Sequence, residues 1–294
     1  MKTIDIQGLK QVLRWNYLDN RTKAVRQALI FSLIFSLICL LVQYNTESVQ
    51  NEKFDCFKEA IMDNYMGNLT GMWGFTCFFA FFFMASSIFL NMRTKQMRAI
   101  YMLLPAGNLE KFLGRLIYVT SSTVITLLCS LFITDAIQFL FSFILTPGLH
   151  GSLTAHIVSG MFQDNNLNNV MIKVGSETVM GEHVFVGLSV FSLILWGHSY
   201  FTLGGTYFRK HPILLSIVSF YILVFVIGGF LSWTNYNFII GTVDNGVTEM
   251  TKNDVKIILY IITIINFALS FFNYWLSYKI FCRMQVISSK WTNI

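Results

Sequence analysis

The chain has 294 residues, of which 54% are hydrophobic and only 12% are charged, and its mean hydropathy is +0.58. Soluble domains carry about 25% charged residues, so this composition excludes an ordinary soluble protein and indicates an integral membrane protein. The net charge of +6 does not indicate nucleic-acid binding, because the basic residues gather in short connectors between apolar stretches.

Residues 1–26 form a basic amphipathic segment. Its apolar residues recur near helical spacing, which predicts an interfacial helix that lies flat on the membrane before the first span. Six apolar stretches follow, and they predict transmembrane helices at about residues 27–44, 70–90, 116–145, 184–207, 213–232 and 255–281. The predicted fold class is therefore all-α, a polytopic membrane protein with one transmembrane domain over residues 1–294. The predicted inside segments hold 16 of the 21 Lys and Arg residues, which places both termini in the cytoplasm.

The connector at residues 93–115 is basic and has helical spacing. One face of its predicted helix collects four apolar residues: Met97, Ile100, Tyr101 and Leu104. Lys95 and Arg98 are expected to face away from this stripe. Pro105 should end the helix, because proline lacks the backbone N–H and disfavours helical geometry at the residue before it. Such a connector is either an ordinary basic loop held by phospholipid or a surface that transmits force to a partner protein.

A second helix is predicted to begin directly after this turn. Asn108 is a residue type that caps helices, and Glu110 then lies in the first turn, where the helix dipole favours a negative charge. This helix continues into the third span, so the connector reads as helix, proline turn and helix.

The connector resembles one part of a known family. A basic helix is followed by Leu-Leu-Pro-Ala, a short polar turn and Lys-Phe-Leu-Gly-Arg entering a span. Together with the six-span layout, this order resembles the permeases of type-2 ABC transporters, where the region between the second and third spans is the coupling helix that docks on the ATPase subunit. Carried over, the resemblance implies these docking residues: Arg98, Tyr101, Leu104, Pro105, Asn108, Glu110 and Lys111.

The resemblance also implies a function and partners. The chain would be the membrane subunit of an exporter in a bacterial cytoplasmic (inner) membrane. It would pair with a second permease copy, identical or not, and with an ABC ATPase subunit. The chain has no GxxxxGK[ST] motif for nucleotide phosphates, so it is not expected to be an enzyme or to bind a cofactor; ATP and Mg belong to the partner.

Asp135 and Gln138 lie three residues apart within the predicted third span. Carboxylates inside a membrane are costly, and they usually face a cavity or a polar partner. One interpretation places the pair on a substrate path or at a subunit seam. The other is a helix-packing hydrogen bond, or an Asp near the outer interface because the third span is long. Three residues are candidate partners for Asp135: His198, Asn266 and Asn273.

Two other functions stay open. An ion-coupled secondary transporter would show internal repeats, broken spans and paired intramembrane charges, which are not evident in this sequence. A non-transporting membrane assembly or immunity factor could be built on the same layout. No metal site is predicted, because the spacing of His150, His156 and His183 fits no zinc pattern.

Overall fold

The computed structural model describes residues 5–50, 58–92, 94–145, 151–162, 171–174, 177–180, 183–208, 210–243 and 252–284. The α-helices of these segments are α1 (Ile6–Gln50), α2 (Lys58–Ser86), α3 (Lys95–Met102), α4 (Asn108–Leu145), α5 (Leu153–Phe162), α6 (His183–Tyr207), α7 (Pro212–Val243) and α8 (Lys252–Arg283). A short 3-10 helix, Leu90–Met92, follows α2. Two strands, β1 (Met171–Val174) and β2 (Glu177–Met180), form an antiparallel hairpin.

Five described helices are long and apolar enough to cross a membrane. They contain the stretches Ile6–Gln43, Met62–Ser86, Asn108–Ile144, Pro212–Phe230 and Leu259–Arg283. This agrees with a polytopic membrane protein built almost wholly of helices. α6 occupies the position predicted for the fourth span, but it is not among these five stretches of the described residues. The sixth crossing therefore stays a prediction.

The predicted interfacial helix at residues 1–26 is wrong as a separate element. α1 runs without interruption through 45 residues, from Ile6 into the first predicted span. The sequence from residue 9 to residue 50 contains neither Gly nor Pro, so nothing breaks the helix between the two predicted elements. At 1.5 Å per residue α1 is about 67 Å long, roughly twice the hydrocarbon thickness of about 30 Å, and it extends well beyond the membrane core.

Other predicted boundaries also move. α2 ends at Ser86, four residues before the predicted end of the second span, and a turn and the 3-10 helix follow it. α7 continues through residues 233–243, beyond the predicted end of the fifth span at residue 232. α5 and the hairpin lie between the predicted third and fourth spans, where no regular structure was predicted.

The chain divides into two compact units. The first comprises Met1–Met84 and Ala106–Asn166, and the second comprises Ala85–Pro105 and Leu167–Ile294. The first unit is built on α1, most of α2, α4 and α5, and the second on α3, α6, α7 and α8. The prediction of a single permease domain stays a prediction.

In the first unit α1 and α4 pack side by side and run parallel. Near the start of the pair, Asn16 Oδ1 of α1 accepts a hydrogen bond from Arg115 Nη1 of α4 at 3.0 Å. Further along both helices, the Ser32 carbonyl of α1 accepts a hydrogen bond from Thr134 Oγ1 of α4 at 3.4 Å. Because the residue numbers increase on both helices from the first contact to the second, α1 and α4 run in the same direction. An apolar cluster at the other end of this unit joins α1, α2, α4 and α5: Cys39, Tyr65, Met66, Leu69, Leu131 and Leu153.

In the second unit α6 and α8 are also parallel, joined by a series of polar contacts. The Ser189 and Thr263 hydroxyls form a hydrogen bond at 2.8 Å. Asn266 donates to Ser192 at 3.4 Å, and Asn273 donates to Ser199 at 3.1 Å. In each of these three pairs the two residues are 74 positions apart in the sequence. Buried residues with a spacing of three and four run along α8 to the residue after its end: Thr263, Asn266, Ser270, Asn273, Ser277, Ile280 and Met284. This period of 3.5 is that of two helices wound gently around each other.

Two glycines allow close helix contacts in the second unit. A Cβ on Gly204 would overlap the hydroxyl of Ser216 in α7, and a Cβ on Gly205 would overlap the carbonyl oxygen of Ser86. Small residues at membrane helix contacts let the backbones approach each other, and Gly204 and Gly205 both lie at such contacts. Gly228 and Gly229 have no neighbour within 4 Å of an added Cβ.

Candidate functional site

The connector begins with a capped helix. The hydroxyl of Thr94 accepts a hydrogen bond from the Met97 backbone N–H at 3.3 Å, and Thr94 has the extended backbone of a helix N-cap. Threonine at this position satisfies one of the N–H groups that the first turn of α3 leaves without a helical partner. With this cap α3 begins at Lys95, two residues before Met97, the first residue of the predicted apolar stripe.

Arg98 is buried, contrary to its predicted outward orientation. Its side chain is only 1% exposed, and its Nε and Nη2 atoms lie 3.4 and 3.3 Å from the Met92 carbonyl oxygen. Met92 is the last residue of the 3-10 helix, whose final carbonyls have no partner within that helix. A guanidinium is a strong donor to such a carbonyl, and this contact turns Arg98 inward.

The buried face of α3 is the one that carries Arg98, and it differs from the predicted face. Tyr101 is 2% exposed, whereas Met97 is 38%, Ile100 50% and Leu103 82% exposed. The predicted apolar stripe therefore does not face one way: Tyr101 lies inside, and Met97 and Ile100 lie outside. We call Met97, Ile100 and Leu103 the exposed face of α3.

The turn after α3 agrees closely with the prediction. α3 ends at Met102, and the Leu103 and Leu104 N–H groups donate to the carbonyls of Ala99 (3.0 Å) and Tyr101 (3.3 Å). Leu104 is half-buried and Pro105 is exposed. The helix ends before the proline, as expected. Its last residue, Met102, lies two residues before Leu104, the last residue of the predicted stripe.

α4 begins at Asn108, with Glu110 in its first turn as predicted. The first helical hydrogen bond runs from Lys111 N–H to the Gly107 carbonyl at 3.0 Å, so Gly107 holds the cap position assigned to Asn108. The Glu110 carboxylate folds back over Gly107, where an added Cβ would lie 3.1 Å from Glu110 Cδ. A side chain at this position would have to displace the Glu110 carboxylate.

Glu110 also joins the start of α4 to the start of α1. Its Oε1 accepts a hydrogen bond from the Asp5 backbone N–H at 3.1 Å. Asp5 in turn caps α1, because its Oδ1 accepts from the Gln7 N–H at 3.0 Å. Further along, Arg115 bonds Asn16 and lies 5.5 Å above the ring of Tyr118. The two parallel helices α1 and α4 are thus tied at their N-terminal ends.

The predicted docking residues divide by burial. Four are buried: Arg98, Tyr101, Glu110 and Lys111. Their burial argues against direct contact with a partner and makes them internal supports. Leu104 is half-buried, and Pro105 and Asn108 are exposed. Three other residues of the connector are exposed: Met97, Ile100 and Leu103. Met97 and Ile100 belong to the predicted apolar stripe, and Leu103 was not among the predicted residues.

Asp135 holds the N-terminus of α5. Its carboxylate accepts hydrogen bonds from the backbone N–H groups of Leu153 (2.6 Å) and Thr154 (3.3 Å) and from the Ser152 hydroxyl (2.7 Å), and it also contacts the Thr154 hydroxyl. These are the contacts of the helix-packing alternative. The positive end of the α5 dipole and four donors compensate a carboxylate that is 8% exposed. A role on a substrate path stays a prediction.

Gln138 lies one turn beyond Asp135 and is fully buried. Its Nε2 donates to the Tyr65 hydroxyl at 3.2 Å, and its Oε1 has no hydrogen-bond partner among the described residues. This contact joins α4 to α2. This is a contact of the kind that the helix-packing alternative describes, and a role on a substrate path stays a prediction.

The three candidate partners of Asp135 have other partners. His198 Nδ1 lies 2.7 Å from the Tyr274 hydroxyl, and Asn266 and Asn273 bond Ser192 and Ser199. All these contacts join α6 to α8. Sequence reasoning missed the observed partners of Asp135 because they lie between the predicted third and fourth spans, where no helix was predicted.

Among the residues that the structure describes, no group of three His, Cys, Asp or Glu side chains is arranged to hold a metal ion. Comparison with protein-family models, with curated proteins and with solved structures finds no match for this chain. The functional argument therefore rests on the chain's own residues.

Proposed function

We propose that the chain is the membrane-spanning permease subunit of an ATP-binding-cassette exporter, which moves its substrate with ATP hydrolysed by a separate subunit. The observation that carries the proposal is α3. It is an eight-residue helix between two candidate membrane spans, followed by a proline turn, and it presents apolar side chains outward. A helix with this placement can receive force from a partner docked on Met97, Ile100 and Leu103.

The contacts of α3 provide a path for that force within the second unit. Arg98 ties α3 to the Met92 carbonyl, and Phe89, on the same short segment, stacks on Phe281 of α8 with ring centroids 5.1 Å apart. Ser86 at the end of α2 lies against Gly205 of α6. Close-packed contacts transmit displacement, so pressure on α3 would move the adjoining ends of α6 and α8.

Asn266 and Asn273 bear on the ion-coupled alternative. A secondary transporter needs intramembrane charged or polar groups that are free to bind an ion. Asp135 is occupied by α5, and both asparagines bond serines across the α6–α8 contact. The permease interpretation needs no such group. The assembly or immunity factor remains the alternative that a missing ATPase partner would favour.

The test is purification in mild detergent of the tagged chain from its native host, with two matched substitutions. Ile100→Glu places a charge on the exposed face of α3, where Ile100 is 50% exposed. Ile6→Glu makes the same change at a residue that is 76% exposed in α1, on the same predicted side of the membrane. Both variants should fold, because neither side chain is buried.

We expect a stoichiometric protein with ATPase activity to accompany the parent and Ile6→Glu, and to be lost from Ile100→Glu. A parent that purifies without any ATPase in several detergents would contradict the permease function. An ATPase that stays with Ile100→Glu would show that the docking surface is not the exposed face of α3.

A further inference from the structure

α5 is inserted beside α4 rather than lying beyond its end. The N-terminal residue of α5, Leu153, meets Asp135, which is ten residues before the last residue of α4. At 1.5 Å per residue this depth is about 15 Å. α5 therefore begins well below the C-terminal end of α4.

Apolar contacts seat the same end of α5. Leu153 is fully buried in the cluster that contains Cys39, Tyr65 and Leu131, and Ile157 packs on the cluster one turn later. A Cβ on Gly151 would overlap the terminal methyl groups of Met62 and Met66, so the segment before α5 lies tightly on α2. α5 thus covers one end of the unit formed by α1, α2 and α4.

The other face of α5 makes few contacts. Val158 is half exposed, Ala155 is exposed, and the helix has only ten residues. A helix of this length is marginal by itself in water. Its position therefore depends on the buried Leu153 and on the hydrogen bonds that converge on one carboxylate.

Polar groups lie in the region that α5 covers. Tyr65 belongs to the Leu153 cluster, and its hydroxyl meets the buried amide of Gln138, whose Oε1 has no partner among the described residues. An acceptor of this kind is costly when it is sealed in an apolar site, and it is satisfied when water or a polar ligand reaches it. Opening at α5 would give it that access.

We propose that α5 is a removable plug on the end of the α1–α2–α4 unit, and that Asp135 is the positioning residue that holds it in place. On the topology predicted from the basic residues, this end faces outward. That the plug closes a transport path rests on the proposed function; its release when Asp135 is changed does not.

Cys39 is a natural reporter for the plug. It is 5% exposed and packs in the cluster with Leu153. Cys77 lies in a second cluster of the same unit, with Phe35 and Ala80. In two single-cysteine versions of the full chain, with the other native cysteines replaced, the rate of labelling by a membrane-impermeant maleimide is measured in membranes without nucleotide.

Asp135→Asn and Asp135→Ala remove the charge and some or all of the acceptors. Asp63→Asn is the matched control, because Asp63 is an exposed acid on the same predicted side. We expect Cys39 to react about tenfold faster or more in both Asp135 variants, since the donors at the start of α5 lose their charged partner. Cys39 should stay slow in the parent and in Asp63→Asn, and Cys77 should stay slow throughout.

Three results would overturn the proposal. Cys39 could already react rapidly in the parent, it could react at the parent rate in both Asp135 variants, or Cys77 could become reactive together with Cys39. The last result would mean that Asp135 supports the whole unit rather than α5 alone. None of these readings depends on an ATPase partner, so this test fails independently of the proposed function.

Discussion

Gly205 lies at a close approach to another backbone in the second unit. An ideal Cβ there would overlap the Ser86 carbonyl oxygen and would lie 2.8 Å from the carbonyl carbon and 3.1 Å from Cα of Ser86. Three backbone atoms cannot rotate away as a flexible side chain can. The Gly205→Ala substitution therefore forces α6 away from the end of α2.

The magnitude combines two opposed effects. Overpacking in a close contact costs about 1–3 kcal/mol, and a contact with backbone belongs at the upper end of that range. Replacing Gly by Ala within a helix returns up to about 1 kcal/mol. We expect a net loss of about 1–2 kcal/mol in the free energy of unfolding, which is roughly a tenfold rise in the unfolded fraction.

The matched control is Gly228→Ala in α7, where an added Cβ has no neighbour within 4 Å. This variant receives the gain in helix propensity without the overlap, so it should be as stable as the parent or slightly more stable. Thermal unfolding of the purified proteins in one detergent, followed by size-exclusion chromatography, orders the three. If Gly205→Ala unfolds at the same temperature as Gly228→Ala, the close approach of α6 to Ser86 is wrong.

Two further substitutions test buried polar contacts by the same measurement. Arg98→Ala removes the donor to the Met92 carbonyl and should cost at least about 1.5 kcal/mol, because the carbonyl loses a charged partner; the exposed Lys95→Ala should change stability by less than about 0.5 kcal/mol. Equal effects of the two would contradict the inward position of Arg98. Asn273→Ala should cost only about 0.6 kcal/mol, the typical value of a hydrogen bond between membrane helices, and a loss above about 2 kcal/mol would show that the Ser199 contact is not its main role.

Long apolar runs in the sequence predicted the five described helices that can cross a membrane, because such runs leave few alternatives inside a membrane. The sequence also predicted the turn at Pro105 and the place of Glu110, since proline and helix-start chemistry are local effects. The interfacial helix failed for a related reason. Amphipathic character indicates where a helix is polar, but only a breaking residue divides one helix from the next, and α1 contains no Gly or Pro after Gly8.

The orientation of α3 could not be predicted from its own residues. A periodic pattern treats arginine as an outward residue, whereas Arg98 turns inward to a carbonyl that belongs to a 3-10 helix before it. The availability of the Met92 carbonyl as an acceptor can be inferred only when the end of α2 and the 3-10 helix after it are known. The partners of Asp135 depend in the same way on tertiary structure, because they come from α5 in a segment that looked like polar loop.

The hairpin had a local signal that was overlooked. Its strands, Met171–Val174 and Glu177–Met180, are separated in sequence by Gly175-Ser176, a pair typical of two-residue hairpin connections. The strands are only four residues long. Runs this short are easily lost beside helices of 25 residues or more.

The repeating polar contacts between α6 and α8 have a consequence for the register of the two helices. If α6 slid by seven residues, about 10 Å, Ser192 would lie opposite Asn273 and Ser189 opposite Ser270, and both new pairs could again bond. The same slide would bring His198 opposite Phe281, which has no hydrogen-bonding group. Ser199 would likewise come to lie opposite Ile280, so the bonds of His198 to Tyr274 and of Ser199 to Asn273 together distinguish the native alignment from the shifted one.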